Sequence, residues 1–144
     1  MKLLLDASII VPLLLDYGEK LLDIATRIPL HITDLTIYEA GNSLWKLSTL
    51  RKTVSLEDAV EIIGVLKDLV RKEVIGIVRF DELDLRRIVE LATAEKTTFY
   101  DTSYVVAAEA LGAALVTEDR ELKEKAKKYV DVITYNRLRQ RHLR

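Results

Sequence analysis

Hydrophobic and polar positions along the chain alternate between two kinds of pattern. Short unbroken apolar runs read as strands buried on both faces. Longer segments with apolar residues every three or four positions read as amphipathic helices. Residues 2–6 predict a first strand, followed by a helix over Ser8–Asp23 with Pro12 in its first turn. "LHITD" (30–34) predicts a second strand, and "TIYEAGNSLWKLSTL" (36–50) and "SLEDAVEIIGVLKDLVRKE" (55–73) predict two helices. "VIGIVRF" (74–80) predicts a third strand, and Asp81 is expected to cap a helix over 81–96. A helix over 101–112 should end at Gly112, where a glycine suits a left-handed C-cap. "AALVT" (113–117) then reads as a strand, 119–129 as a helix and "VDVITY" (130–135) as a last strand. Strands that alternate with helices imply one α/β domain, with a parallel sheet covered on both faces.

One residue breaks the first apolar run. Asp6 is the only charge between Leu3 and Leu15. A carboxylate in apolar surroundings is costly to keep ionised without a partner. Ligands of an open parallel sheet bind beyond the carboxyl ends of its strands. The connectivity sends Asp6, Glu39, Asp101 and Asp119 to that one rim. Each has a simpler explanation. Thr36-x-x-Glu39 has the form of a capping box, and Asp101 and Asp119 suit N-caps. Asp6 is the exception, because it closes an apolar strand. Four carboxylates on one rim repel one another and invite a cation. Oxygen ligands without His or Cys suit Mg²⁺ or Mn²⁺.

Neighbouring side chains extend this picture. Asn42 lies one helical turn after Glu39, placed to orient a carboxylate or a water. Lys46 follows on the same face, and reads first as a solvated lysine and second as a cation near enough to attract a phosphate. Ser8 and Thr117 flank the acids, either as hydrogen-bond donors to them or as turn formers. His31 is expected to be a satisfied core or edge histidine, and Tyr38 and Trp45 are expected to pack.

Composition narrows the class. The chain has 144 residues, 49% hydrophobic and 31% charged, with no cysteine. It is long enough to bury a core without staples. The lack of cysteine excludes disulfides and Cys-ligated metals and fits a cytoplasmic location. The thirteen-residue apolar opening is too short to span a bilayer. Net charge is −1, but Arg120 to Arg144 holds nine Lys/Arg against three Asp/Glu. That basic stretch is a phosphate-attracting edge or simply a solvated helix and terminus.

"LLLDASIIV", "TDLTIYEAGNSLWK" and "YDTSYVVAAEALGAALVTEDREL" together resemble the three acidic blocks of PIN-domain ribonucleases, most closely the VapC-type toxins of toxin–antitoxin pairs. The resemblance covers nearly the whole chain. It implies a single three-layer domain over 1–135, with a basic tail at 136–144 and sheet order 3-2-1-4-5. It also implies that Asp6, Glu39, Asp101 and Asp119 form a catalytic and metal-holding quartet, with Glu118 as the rival for the fourth place. Asn42 matches a polar position of the family, and Ser8 and Thr117 support the acids. The implied activity is a metal-dependent endoribonuclease. The implied partners are RNA, a small antitoxin and a second copy of the chain, with no membrane. Two alternatives are an RNA-processing nuclease without an antitoxin and a non-catalytic interaction module. A haloacid-dehalogenase phosphatase needs D-x-D-x-T after its first strand, whereas this chain has Asp6-Ala7-Ser8-Ile9-Ile10. A receiver domain needs adjacent acids there, which are also absent.

Overall fold

The computed structural model describes residues 1–143. Five short parallel strands form one sheet in the order β3-β2-β1-β4-β5. They are β1 (Leu3–Leu5), β2 (Leu30–Thr33), β3 (Gly76–Val78), β4 (Ala114–Val116) and β5 (Val132–Ile133). Register is set by Leu3 opposite Leu30, Leu4 opposite Leu115, His31 opposite Gly76 and Val116 opposite Ile133. The expected strand order is therefore observed.

The central strand shows why its sequence is uniformly apolar. Leu3 and Leu5 enter one core with Ile9, Ile10 and Leu13 of α1 (Ala7–Tyr17) and Leu66 and Leu69 of α4 (Leu56–Arg71). Leu4 points to the opposite face, into a second core. There it meets Ile88 of α5 (Leu85–Glu95), Tyr104 and Ala108 of α6 (Phe99–Leu111) and Leu122 of α7 (Arg120–Ala126). All three leucines are fully buried. With helices on both faces, no alternation survives in the sequence.

Several boundaries differ from the sequence expectation. The helix expected over 8–23 breaks at Gly18, whose φ is +52°, and resumes as α2 (Leu21–Arg27). Pro12 lies in the second turn of α1, where its missing N–H removes a helical hydrogen bond. The helix expected over 36–50 runs as α3 (Asp34–Trp45) and then widens into a π-helical turn, Lys46–Leu50. Asp81 lies in a 3₁₀ turn, and Asp84 caps α5 through the Arg87 N–H. Tyr38 and Trp45 are 78% and 50% exposed, so neither packs as expected. His31 is half-buried, and its Nδ1 is buried without a hydrogen-bond partner among the described residues. Residues Tyr135–His142 form α8, capped by Thr134 and anchored by the fully buried Leu138.

Candidate active site

Asp6 follows β1 directly and stands at the N-cap position of α1, yet its side chain caps nothing. The residue is only 5% exposed. Two hydroxyls hold it: Ser8 Oγ donates to Oδ1 at 2.5 Å, and Thr117 Oγ1 donates to Oδ2. Both hydroxyls also accept from the turn after β4. The Glu118 N–H donates to Ser8 Oγ at 2.9 Å, and the Asp119 N–H donates to Thr117 Oγ1 at 3.0 Å. The paired strands β1 and β4 thus fix the geometry of the first acid and the turn bearing the fourth.

Helix starts decide the fate of the other acids. Thr33 and Thr36 cap each other at the start of α3, in place of the expected Thr36–Glu39 box. The helix begins two residues earlier than expected, so Glu39 is released from capping. Its Oε1 instead accepts from the Tyr104 hydroxyl at 2.5 Å. Tyr104 is buried, and its oxygen lies 3.2 Å from Thr36 Oγ1. Similarly, Thr98 caps α6 by accepting from the Asp101 N–H at 3.1 Å, in place of the expected cap by Asp101. The Asp101 carboxylate is left free of hydrogen bonds among the described residues. Asp119 does cap its helix, accepting from the Leu122 N–H at 2.9 Å, and still reaches the same cavity. Glu118 points elsewhere and accepts from the Tyr135 N–H at 2.7 Å.

Asp6, Glu39, Asp101 and Asp119 line one cavity of about 270 Å³ with Ser8, Asn42, Ser43, Lys46 and Tyr104. Thr117 stands behind Asp6 as its buried hydrogen-bond donor. Two carboxyls titrate well above their usual range. Burial pushes Asp6 up to about 6, against the hydrogen bonds from Ser8 and Thr117, with a further push from Glu39. Burial also raises Asp101 to about 6, helped by the negative charges of Asp119, Glu39 and Glu121. Burial and the bond to Glu39 raise the Tyr104 phenol, which keeps it a proton donor. From sequence alone Tyr104 reads as core in an apolar helix. Its signal is its place three residues after Asp101, on the same helix face.

The donor set is all oxygen and all negative, which matches a hard divalent cation. Among the described residues, no three acidic, His or Cys side chains already form a closed cage. A cleft of this kind suits an ion that keeps several waters and takes few protein ligands, as Mg²⁺ does.

Comparisons with known proteins identify the family of the fold. The model of the PIN domain matches residues 3–128. Exonuclease VapC9 of Pyrobaculum aerophilum is 37% identical over 131 residues, which is 91% of this chain and 90% of that protein. Ribonuclease VapC3 of the same organism is 34% identical, over 87% of this chain and 95% of its own length. The crystal structure of PAE2754, also from Pyrobaculum aerophilum, superposes with a TM-score of 0.73 at 32% identity, covering 99% of this chain and 97% of that one. The chain belongs to the PIN-domain family, as a relative of its VapC members.

Proposed function

We propose that the protein is a divalent-metal-dependent endoribonuclease, the VapC-type toxin of a toxin–antitoxin pair. One observation carries this reading. Four carboxylates from four separate chain segments, the buried Asp6 among them, line a single cavity, and burial, with a smaller push from neighbouring negative charge, raises two of them. The VapC relatives, one named a ribonuclease and one an exonuclease, support it.

Asp6, Glu39, Asp101 and Asp119 would hold Mg²⁺ or Mn²⁺. The ion would supply Lewis-acid charge at the phosphodiester and make hydroxide available near neutral pH. Ser8 and Thr117 orient Asp6, and Tyr104 orients Glu39. Asn42, exposed at the cavity wall, offers an amide to a water or to the RNA. A cytoplasmic site of action fits this chemistry. Among the described residues, no helix is long and apolar enough to cross a membrane.

Partners fit the exposed surface. Tyr38, Trp45, Leu50, Leu56 and Val60 leave large apolar area uncovered along α3, the π turn and α4. That face would take a small antitoxin. A second exposed group, Phe80, Leu85, Val89 and Tyr100, offers an area for self-association.

The test is cleavage of RNA against a titration of Mg²⁺ and Mn²⁺, with linear and circular substrates. Wild-type protein should cut both substrates only with metal, whereas an exonuclease would spare the circle. Asp6→Asn and Asp101→Asn should fold and cut neither. Full activity in either variant, or none in wild type, would refute the proposal.

A further inference from the structure

The cavity holds one cation among nine other lining residues: Lys46. Its position on the chain is specific. Glu39, Asn42, Ser43 and Lys46 follow one another at helical spacing along one face of α3 and its extension. At Lys46 the backbone changes from α to π. The Lys46 N–H is shared between the carbonyls of Asn42 and Ser43, while the Lys46 carbonyl accepts from the Arg51 N–H at 3.0 Å.

The electrostatics of the side chain point the same way. Four carboxylates line the cavity with it, yet Lys46 forms no ion pair among the described residues. It is exposed and free to turn toward a ligand. A lysine whose task was to neutralise these acids would be paired with one of them. An RNA backbone entering the cleft meets four negative groups and needs positive charge beside them. An ammonium on a flexible stem is a compact point charge suited to a phosphate oxygen.

We propose that Lys46 is a phosphate-binding residue, its ammonium engaging a non-bridging oxygen of the RNA backbone next to the bond that is cut. The proposal rests on the ribonuclease reading and adds to it a substrate-positioning site. Lys46 holds the backbone in register and takes no part in proton transfer.

The experiment uses fluorescein-labelled single-stranded RNAs of unrelated sequence and the full chain carrying Asp101→Asn, with Mg²⁺ present. Binding is read by anisotropy between about 50 and 200 mM salt. Adding Lys46→Gln should raise Kd about tenfold on every RNA, as expected for a lost charge-assisted contact. It should also flatten the slope of log Kd against log salt by about 0.7, the signature of one phosphate contact on a single strand. Lys46→Arg should keep the slope. In the active protein, Lys46→Gln should raise KM more than it lowers kcat. An unchanged slope would overturn the inference, as would tighter Mg²⁺ binding without an effect on RNA, which marks a lysine that only neutralises acids. Those results leave the ribonuclease reading standing, whereas wild-type protein that cuts no RNA with any divalent ion sinks both.

Discussion

Thr117 and Asp6 lie 111 residues apart in the chain and are joined by a buried hydrogen bond from the threonine hydroxyl to Asp6 Oδ2. The same hydroxyl accepts from the Asp119 N–H, so one oxygen ties the first and fourth acids of the cavity together. The bond exists because β1 and β4 are neighbours, with Leu5 opposite Val116. Each strand then delivers its next residue to the same rim. Side chains that merely capped helices would have no need of this cross-strand link.

Thr117→Val tests the link. Valine matches the shape but lacks the hydroxyl, leaving Asp6 Oδ2 and the Asp119 N–H without that partner. The loss of a buried partner should cost about 1–3 kcal/mol of stability, visible as a lower Tm. Groups that orient a ligand typically affect metal affinity or activity about 10–100-fold, and a drop of that size is expected in a Mn²⁺ titration. Thr117→Ser keeps the hydroxyl and should recover most of both. Equal behaviour of the valine and serine variants would show that the bond does not organise the site.

Stability of the metal-free protein should carry a pH signature. The folded carboxyls of Asp6 and Asp101 titrate near 6, above their ordinary value of 3.8. The folded chain therefore binds these protons more tightly than the unfolded chain does. Their contribution is fully present below about pH 4 and is lost as pH rises through about 6. For buried Asp6 this amounts to about 3 kcal/mol, and half-buried Asp101 adds less because solvent screens it. Asp6→Asn should thus gain stability relative to wild type as pH rises from about 4 to about 8. Mg²⁺ acts in the opposite sense, since it needs the deprotonated acids, and its stabilisation should grow over the same range. Urea melts with EDTA or Mg²⁺ at several pH values give both curves. A pH-independent difference between Asp6→Asn and wild type would contradict this account.

The four acids are legible because Asp6, Asp101 and Asp119 lie at strand or helix ends and Glu39 stands in the second turn of the helix after β2, and the topology sends those segments to one rim. Helix starts were less legible, because good caps stood close together in sequence. Thr98 outcompeted Asp101, Thr33 with Thr36 outcompeted Thr36 with Glu39, and Asp84 outcompeted Asp81. In the first two cases the earlier cap freed an acid for the cavity. Tyr104 was hidden for a different reason. Its hydroxyl partner lies 65 residues away, and no local pattern distinguishes a buried tyrosine with a partner from one that simply packs. Trp45 is exposed although its sequence position predicts packing, because periodicity gives the face of a helix but not whether another element covers it.

Gly76 is predicted to be intolerant of any side chain. It pairs with His31 across β2 and β3, and a Cβ there would stand 2.6 Å from His31 Cδ2. Gly76→Ala should cost about 1–3 kcal/mol as an overpacked site. His31→Ala removes the obstruction, so the double variant should be less destabilised than the sum of the two. Strict additivity would place the strain elsewhere.

Tyr104→Phe separates support of the fold from support of the site. Phenylalanine fills the same buried volume between α3 and α6 and removes only the hydroxyl. Thr36 keeps its capping bonds with Thr33, so the start of α3 should survive. Glu39, in contrast, loses the donor that fixes Oε1. A lost buried hydrogen bond costs about 1 kcal/mol, a small shift in Tm. The functional loss should be larger, about 10–100-fold in metal affinity or in RNA cleavage. Because burial and Glu39 keep the phenol protonated, the deficit should be constant from about pH 6 to about pH 9. A Tyr104→Phe variant that is less stable yet fully active would show that Glu39 works without a fixed orientation, and would remove it from the group of acids that must be held in place.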